Sequence, residues 1–185
     1  MALAVFVHLS AQPSPLTVER DGDQLRLHAP RLDFLTGAPL QRLHDGRSVT
    51  YVFSASIRVH RGGPRVHGVT RQIVFSYDLW EERFSVVRRD DLKVAASHLT
   101  SAAAEAWCVE LLALPVRAAP ADKAFVVELE CSLGEENTQA RDAPSATTFT
   151  GLIDLFSRKE PSAPPRWQAA SLPLRLADLI DKARK

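Results

Sequence analysis

The sequence predicts a mainly β protein with helices (α+β): an antiparallel β-sandwich partly covered by one longer helix and by short C-terminal helices. Three observations predict it. Across residues 48–89 apolar side chains fall on alternate positions, interrupted at Gly62-Gly63-Pro64 and Glu81-Glu82-Arg83. That period buries one face of each strand and wets the other, as an antiparallel meander requires. Residues 92–114 are rich in alanine and carry apolar side chains at helical spacing. Phe149, Leu152, Ile153 and Phe156, and again Leu176, Leu179, Ile180 and Ala183, repeat that spacing on a shorter scale.

The elements follow in order. Residues 16–20 and 24–28 flank Asp21-Gly22-Asp23, a hairpin signal, with Leu25 and Leu27 on one face. Pro30 ends that ladder. Residues 39–45 form one or two helical turns, with Leu40 and Leu43 on one face and Gly46 as the stop. In the meander, Val49, Tyr51, Phe53, Ala55, Ile57 and Val59 share a face, then Val69, Ile73, Phe75, Tyr77 and Leu79, then Phe84 and Val86. Projected as a helix started by Asp90 or Asp91, residues 92–114 place Leu92, Ala96, Leu99, Ala103, Trp107, Leu111 and Leu114 on the core stripe. Cys108, Val109 and Leu112 lie off that stripe, and Pro115 ends the helix. A strand over 123–133, a polar loop over 134–147 and a short helix over 149–156 come next. A proline-rich linker, a last strand over 166–172 and a C-terminal amphipathic helix complete the chain.

Composition bounds the function. The 185 residues suit one domain over 13–185, with a helical extension from about residue 147. The formal net charge is +1, so the chain as a whole has no electrostatic pull toward nucleic acid. Residues 1–12 read as the remnant of a secretory signal, since a short apolar run ends at Leu9-Ser10-Ala11. No Lys or Arg precedes the run, and its alternative is a first strand. Nothing reaches the length of a transmembrane helix, which leaves peripheral membrane contact open. Cys131 has core parity and Cys108 faces away from the core stripe, so the two are expected to stay unbonded. The spacing of His and Cys gives no zinc shell, and no cofactor is implied.

Four groups of residues compete for a functional role. His60, Arg61, Arg65 and His67 surround the first turn and offer an anionic group or an acidic partner a basic tip, where the plain alternative is a solvated connection. Ser76, Asp78 and His98 are the ingredients of a hydrolase, but no nucleophile elbow accompanies them, and an enzyme is not expected. The acid pairs Glu81-Glu82, Asp90-Asp91 and Glu135-Glu136 sit on turns, where solvated caps are the ordinary reading. Of the aromatic residues, Tyr77 and Trp107 are assigned to the core and Trp80 to the surface, beside a turn.

Leu32-Asp33-Phe34, then Leu40, Leu43 and Gly46, and the stretches 51–61 and 76–87 form a pattern that covers roughly residues 24–133, with echoes near Trp167. In this the middle of the chain resembles an uncharacterised bacterial family, the domain of unknown function 4390 family. Gly62-Gly63-Pro64 stands where the family has a Trp-rich step. The resemblance implies an exported envelope protein and supplies no catalytic residues. The resulting expectation is a periplasmic or otherwise exported, non-catalytic adaptor that binds another envelope protein. Its expected contacts are the basic tip, Trp80, the strip Cys108, Val109 and Leu112, and the C-terminal helix. The alternative is a carrier that holds a small apolar ligand between sheet and helix, in space left behind Ala55, Ala96 and Ala103.

Overall fold

A computed structural model describes residues 14–30, 32–134, 165–179 and 181. Among these residues ten strands and two α-helices follow in chain order: β1 (Ser14–Pro15), β2 (Thr17–Asp21), β3 (Gln24–His28), α1 (Gly37–His44), β4 (Val49–Arg58), β5 (Arg65–Asp78), β6 (Arg83–Arg88), β7 (Ala95–Leu99), α2 (Ser101–Glu110), β8 (Leu114–Pro115), β9 (Val126–Leu133) and β10 (Arg166–Ala170). They make a seven-stranded sheet in the order β1-β10-β9-β4-β5-β6-β7 and a three-stranded sheet in the order β2-β3-β8. Both are antiparallel, except that the two-residue β1 runs parallel to β10.

The meander has the expected register. Val49 faces Phe75, Tyr51 faces Ile73, and Phe75 in turn faces Val86. All five of these side chains are buried, while Gln72 and Ser76, one step out of phase, are exposed. The alternation outlasts the core at both ends of the long hairpin, for Val59 and Leu79 are 43% and 56% exposed. Beside the meander, β4 is covered on its other edge by β9, with Phe53 opposite Cys131 and Ile57 opposite Val127.

The expected hairpin forms from β2 and β3, with Gly22 at φ +57° in its turn. Helix α1 ends in a Schellman motif: Gly46 N–H donates to Leu43 O at 3.0 Å and Arg47 N–H to Arg42 O at 3.0 Å, with Gly46 at φ +76°. Leu43 is buried, and the His44 ring lies 4.5 Å from that of Tyr77.

The long helix over 92–114 requires correction. Its first part is the strand β7, and only Ser101–Glu110 is helical. The cause is a bulge. Ala96 pairs with Val86 and Leu99 with Phe84, so three residue steps on β7 oppose two on β6. His98 accommodates the extra residue at φ +58°. Inward residues three apart imitate helical spacing, and a helix phase taken from Ala96 and Leu99 does not carry over to α2. The true face of α2 is therefore rotated: Ala104, Cys108 and Val109 are its buried residues. Asp91 starts no helix; it accepts from Lys93 N–H at 3.1 Å in the β6–β7 connection.

Both sheets and α2 contribute to one core. Its centre is Phe34, which lies between strands on the segment 32–36 and is fully buried. Its ring meets those of Tyr51, Phe53, Phe75 and Trp167 edge-on at centroid distances of 4.8, 5.1, 5.7 and 6.3 Å. Cys108 and Cys131 are both buried and both free. They are unbonded as expected, although Cys108 does not face away from the core. The expected C-terminal helix is not formed over the described residues: Leu176–Asp178 is a single 3₁₀ turn, and Asp181 forms a parallel β-bridge with Arg20. The signal-like segment, most of the expected polar loop, the expected helix over 149–156 and residues 180 and 182–185 lie outside the described residues. No helix among the described residues is long and apolar enough to cross a membrane.

Candidate functional site

Helix α2 starts at Thr100, whose side-chain oxygen accepts from Ala103 N–H at 3.3 Å. Ser101, Ala102, Glu105, Ala106 and Val109 lie close together on one flank of the helix. Three of these five side chains are too short to reach a neighbour. Opposite them stand the β2–β3 hairpin and Ala29, Pro30, Asp33, Leu35 and Thr36. The unfilled space between is a groove of about 720 Å³, within the usual size of a small-molecule site. Leu27, Leu35, Ala29, Pro30 and Val109 give it largely apolar walls.

Glu105 is one of the polar residues that line it, with Thr17, Glu19, His28, Asp33, Thr36 and Ser101, and is half-buried. Its Oε1 accepts from Leu35 N–H at 2.9 Å, which ties α2 to the far wall. Burial pushes its carboxyl above the ordinary carboxylate range; the Leu35 amide opposes that shift and the nearby Asp33 carboxylate adds to it. The wall is held from the other side by Phe34, whose carbonyl accepts from the Tyr51 hydroxyl at 3.4 Å. Asp33 sits at φ +45°, a left-handed conformation that turns the chain between these two anchors. At the rim, His28 Nε2 lies 3.4 Å from Glu19. The arrangement offers an apolar body an apolar wall and offers a donor group, an amine or a hydroxyl, the half-buried Glu105 carboxyl, with Glu19 and Asp33 also on the lining.

The residues singled out from sequence are not gathered here. Cys108, Val109 and Leu112 form no exposed strip: all three are buried, because the helix face is rotated, and Val109 alone reaches the groove. Trp80 is 96% exposed at the β5–β6 turn, beside the exposed Leu79. His60, Arg61 and Arg65 are exposed at the β4–β5 turn, and His67 is partly exposed on β5. Asp78 is occupied by that second turn, accepting from Trp80 N–H at 2.8 Å and Glu81 N–H at 3.0 Å. The Glu81 and Trp80 amides hold its carboxyl below the ordinary range, with a smaller contribution from His98. No group of three or more His, Cys, Asp or Glu side chains among the described residues is placed to hold a metal ion. Glu105 escaped the sequence reading because a lone glutamate on an alanine-rich helix looks like part of a solvated face.

Set against protein-family models, curated proteins and solved structures, the chain matches none.

Proposed function

We propose that this is an exported, non-catalytic binding protein that carries a small, largely apolar ligand in the groove between the β2–β3 hairpin and α2. The observation that carries the reading is the 720 Å³ groove itself, apolar along its walls, with the Glu105 carboxyl inside. Space between sheet and helix is what a carrier needs. It lies behind Ala102 and Ala106, not behind Ala55, Ala96 and Ala103. Ligand sites of this kind combine apolar walls with a few placed polar groups. In this reading the two sheets are the layers of a sandwich, and the groove opens where the small sheet meets the helix. Export rests on the apolar run near Met1 and on the resemblance of residues 24–133 to the domain of unknown function 4390 family.

The adaptor reading keeps one specific support. Trp80 and Leu79 stand exposed together on a turn, and an exposed aromatic anchor suits a protein contact. The buried strip no longer contributes to it.

The probe that tests the carrier is 1-aminoanthracene, an apolar fluorophore with one amine. Wild type is expected to bind it saturably, with enhanced emission. Ala106→Trp, which fills the groove from an exposed helix position, is expected to abolish the enhancement while unfolding at an unchanged midpoint. Equal enhancement in both proteins, or none in either, would remove the reading.

A further inference from the structure

On the outer face of the large sheet, Ser54, Ser56 and Arg58 of β4 stand on alternate positions beside Glu128 and Glu130 of β9. The β4–β5 turn does not project clear of this face. Gly62, at φ +68°, donates its N–H to Glu128 Oε1 at 2.8 Å, and Arg58 Nη1 donates to Gly63 O at 2.6 Å. The turn is thereby folded down over the sheet. Arg65 folds the same way, since a Cβ at Gly68 would run into its guanidinium. The missing side chain at Gly68 is the notch in which Arg65 lies. Between turn and sheet a polar cavity of about 420 Å³ remains, lined by Arg61, Arg65, Arg58, Ser56, Glu128 and Gln168 among others.

The charges there do not cancel. Arg58 pairs with Glu128 at 2.6 Å and Arg166 with Glu130 at 3.5 Å. Both acids of the cavity are thus matched. No ion pair among the described residues involves Arg61 or Arg65. Two unmatched guanidinium groups converge on one cavity, with the Ser56 hydroxyl and the Gln168 amide beside them. A monocarboxylate would satisfy one guanidinium. A dianionic oxyanion with several acceptor oxygens can engage both, and the guanidinium fork fits phosphate in a bidentate manner. The cavity also exceeds the needs of a bare phosphate, so it leaves room for an organic body.

We infer that this cavity is a second binding site, independent of the apolar groove, which takes the phosphate group of a phosphate monoester. A soluble phosphorylated metabolite and a phosphomonoester lipid headgroup present the same chemistry. The test is titration calorimetry with glycerol 3-phosphate, alongside flotation with phosphatidylcholine vesicles that do or do not contain phosphatidic acid. Ionic strength is matched throughout with sodium chloride. Saturable binding of glycerol 3-phosphate supports the site with a soluble source. Binding confined to phosphatidic acid vesicles supports it with a lipid source. In either case Arg61→Gln with Arg65→Gln is expected to weaken binding about tenfold or more, the scale of lost charge-assisted hydrogen bonds. Gly68→Ala is expected to weaken it as well, at an unchanged unfolding midpoint, by pushing Arg65 out of its notch. No binding beyond the chloride control, or binding that the double variant Arg61→Gln with Arg65→Gln retains in full, overturns the inference. Neither variant touches the core, so an unchanged urea-unfolding midpoint is the check of the fold that does not depend on the groove.

Discussion

Phe34 and Glu105 set the shape of the groove wall from opposite sides. Phe34 fills the centre of the ring cluster although it lies on no strand or helix, so its loss leaves a cavity that neighbouring strands cannot close. Phe34→Ala is expected to cost about 3–5 kcal/mol in urea unfolding, as for other buried phenylalanines. Glu105 behaves differently, because its carboxyl does two things at once. It satisfies Leu35 N–H, and it carries a charge into a half-buried site. Removing the acceptor with Glu105→Ala is expected to cost about 1–3 kcal/mol, the penalty of an unmatched buried amide. Glu105→Gln keeps the acceptor and removes the charge. The sign of the pH effect follows from the raised carboxyl. The folded protein holds the proton more tightly than the unfolded chain. This group's favourable contribution is therefore complete below the unfolded pKa and is lost as pH rises through the folded one. Glu105→Gln should abolish that loss, so its stability relative to wild type should improve from mildly acid to neutral pH. Urea unfolding of both proteins across that range checks it, and a constant difference would show that the carboxyl feels no burial.

Helix α2 and strand β7 show how two elements can share one misleading pattern. Ala96 and Leu99 both point inward because the bulge at His98 adds one residue between them. Carried forward, that spacing assigns Ala103, Trp107 and Leu111 to the core; Trp107 and Leu111 do pack against it, partly buried, but Ala103 is exposed and the fully buried face holds Ala104, Cys108 and Val109. The exposure of the alanine face follows, and with it the groove. Thr100 marks the real boundary between strand and helix. Thr100→Ala is expected to cost about 1 kcal/mol, the ordinary value of an N-cap, measured by chemical unfolding. If the helix began near Asp90, the same change would fall in a helix interior and cost nothing or stabilise, since alanine is the better helix former. The hairpin of β2 and β3 and the meander raised no such conflict, because period two and the Asp-Gly turn point to the same register.

Across the whole molecule, strand residues were legible wherever one face is buried and the other wet. Tyr51, Ile73, Phe75 and Val86 take the positions that alternation assigns them. The pairing of distant segments was not legible. Nothing local says that β10 lies beside β9 or that Phe34 belongs among the rings of β4 and β5, because both depend on chain closure over long separations. The sites were less legible still. A groove arises where side chains are absent, as at Ala102 and Ala106, and the polar cavity arises because Gly68 leaves room for Arg65. The four basic residues of the β4–β5 turn were visible as a cluster, yet only the folded turn separates Arg61 and Arg65 from the paired Arg58.

The account's central claim is that a small apolar ligand occupies the groove beside α2. Intermolecular nuclear Overhauser effects between 1-aminoanthracene and the methyl groups of the protein test it most directly. The expected contacts are to Leu27, Leu35, Ala106 and Val109, which line the groove from its two walls. Contacts confined to Leu79 beside Trp80, or contacts to no methyl of the groove, would contradict the claim.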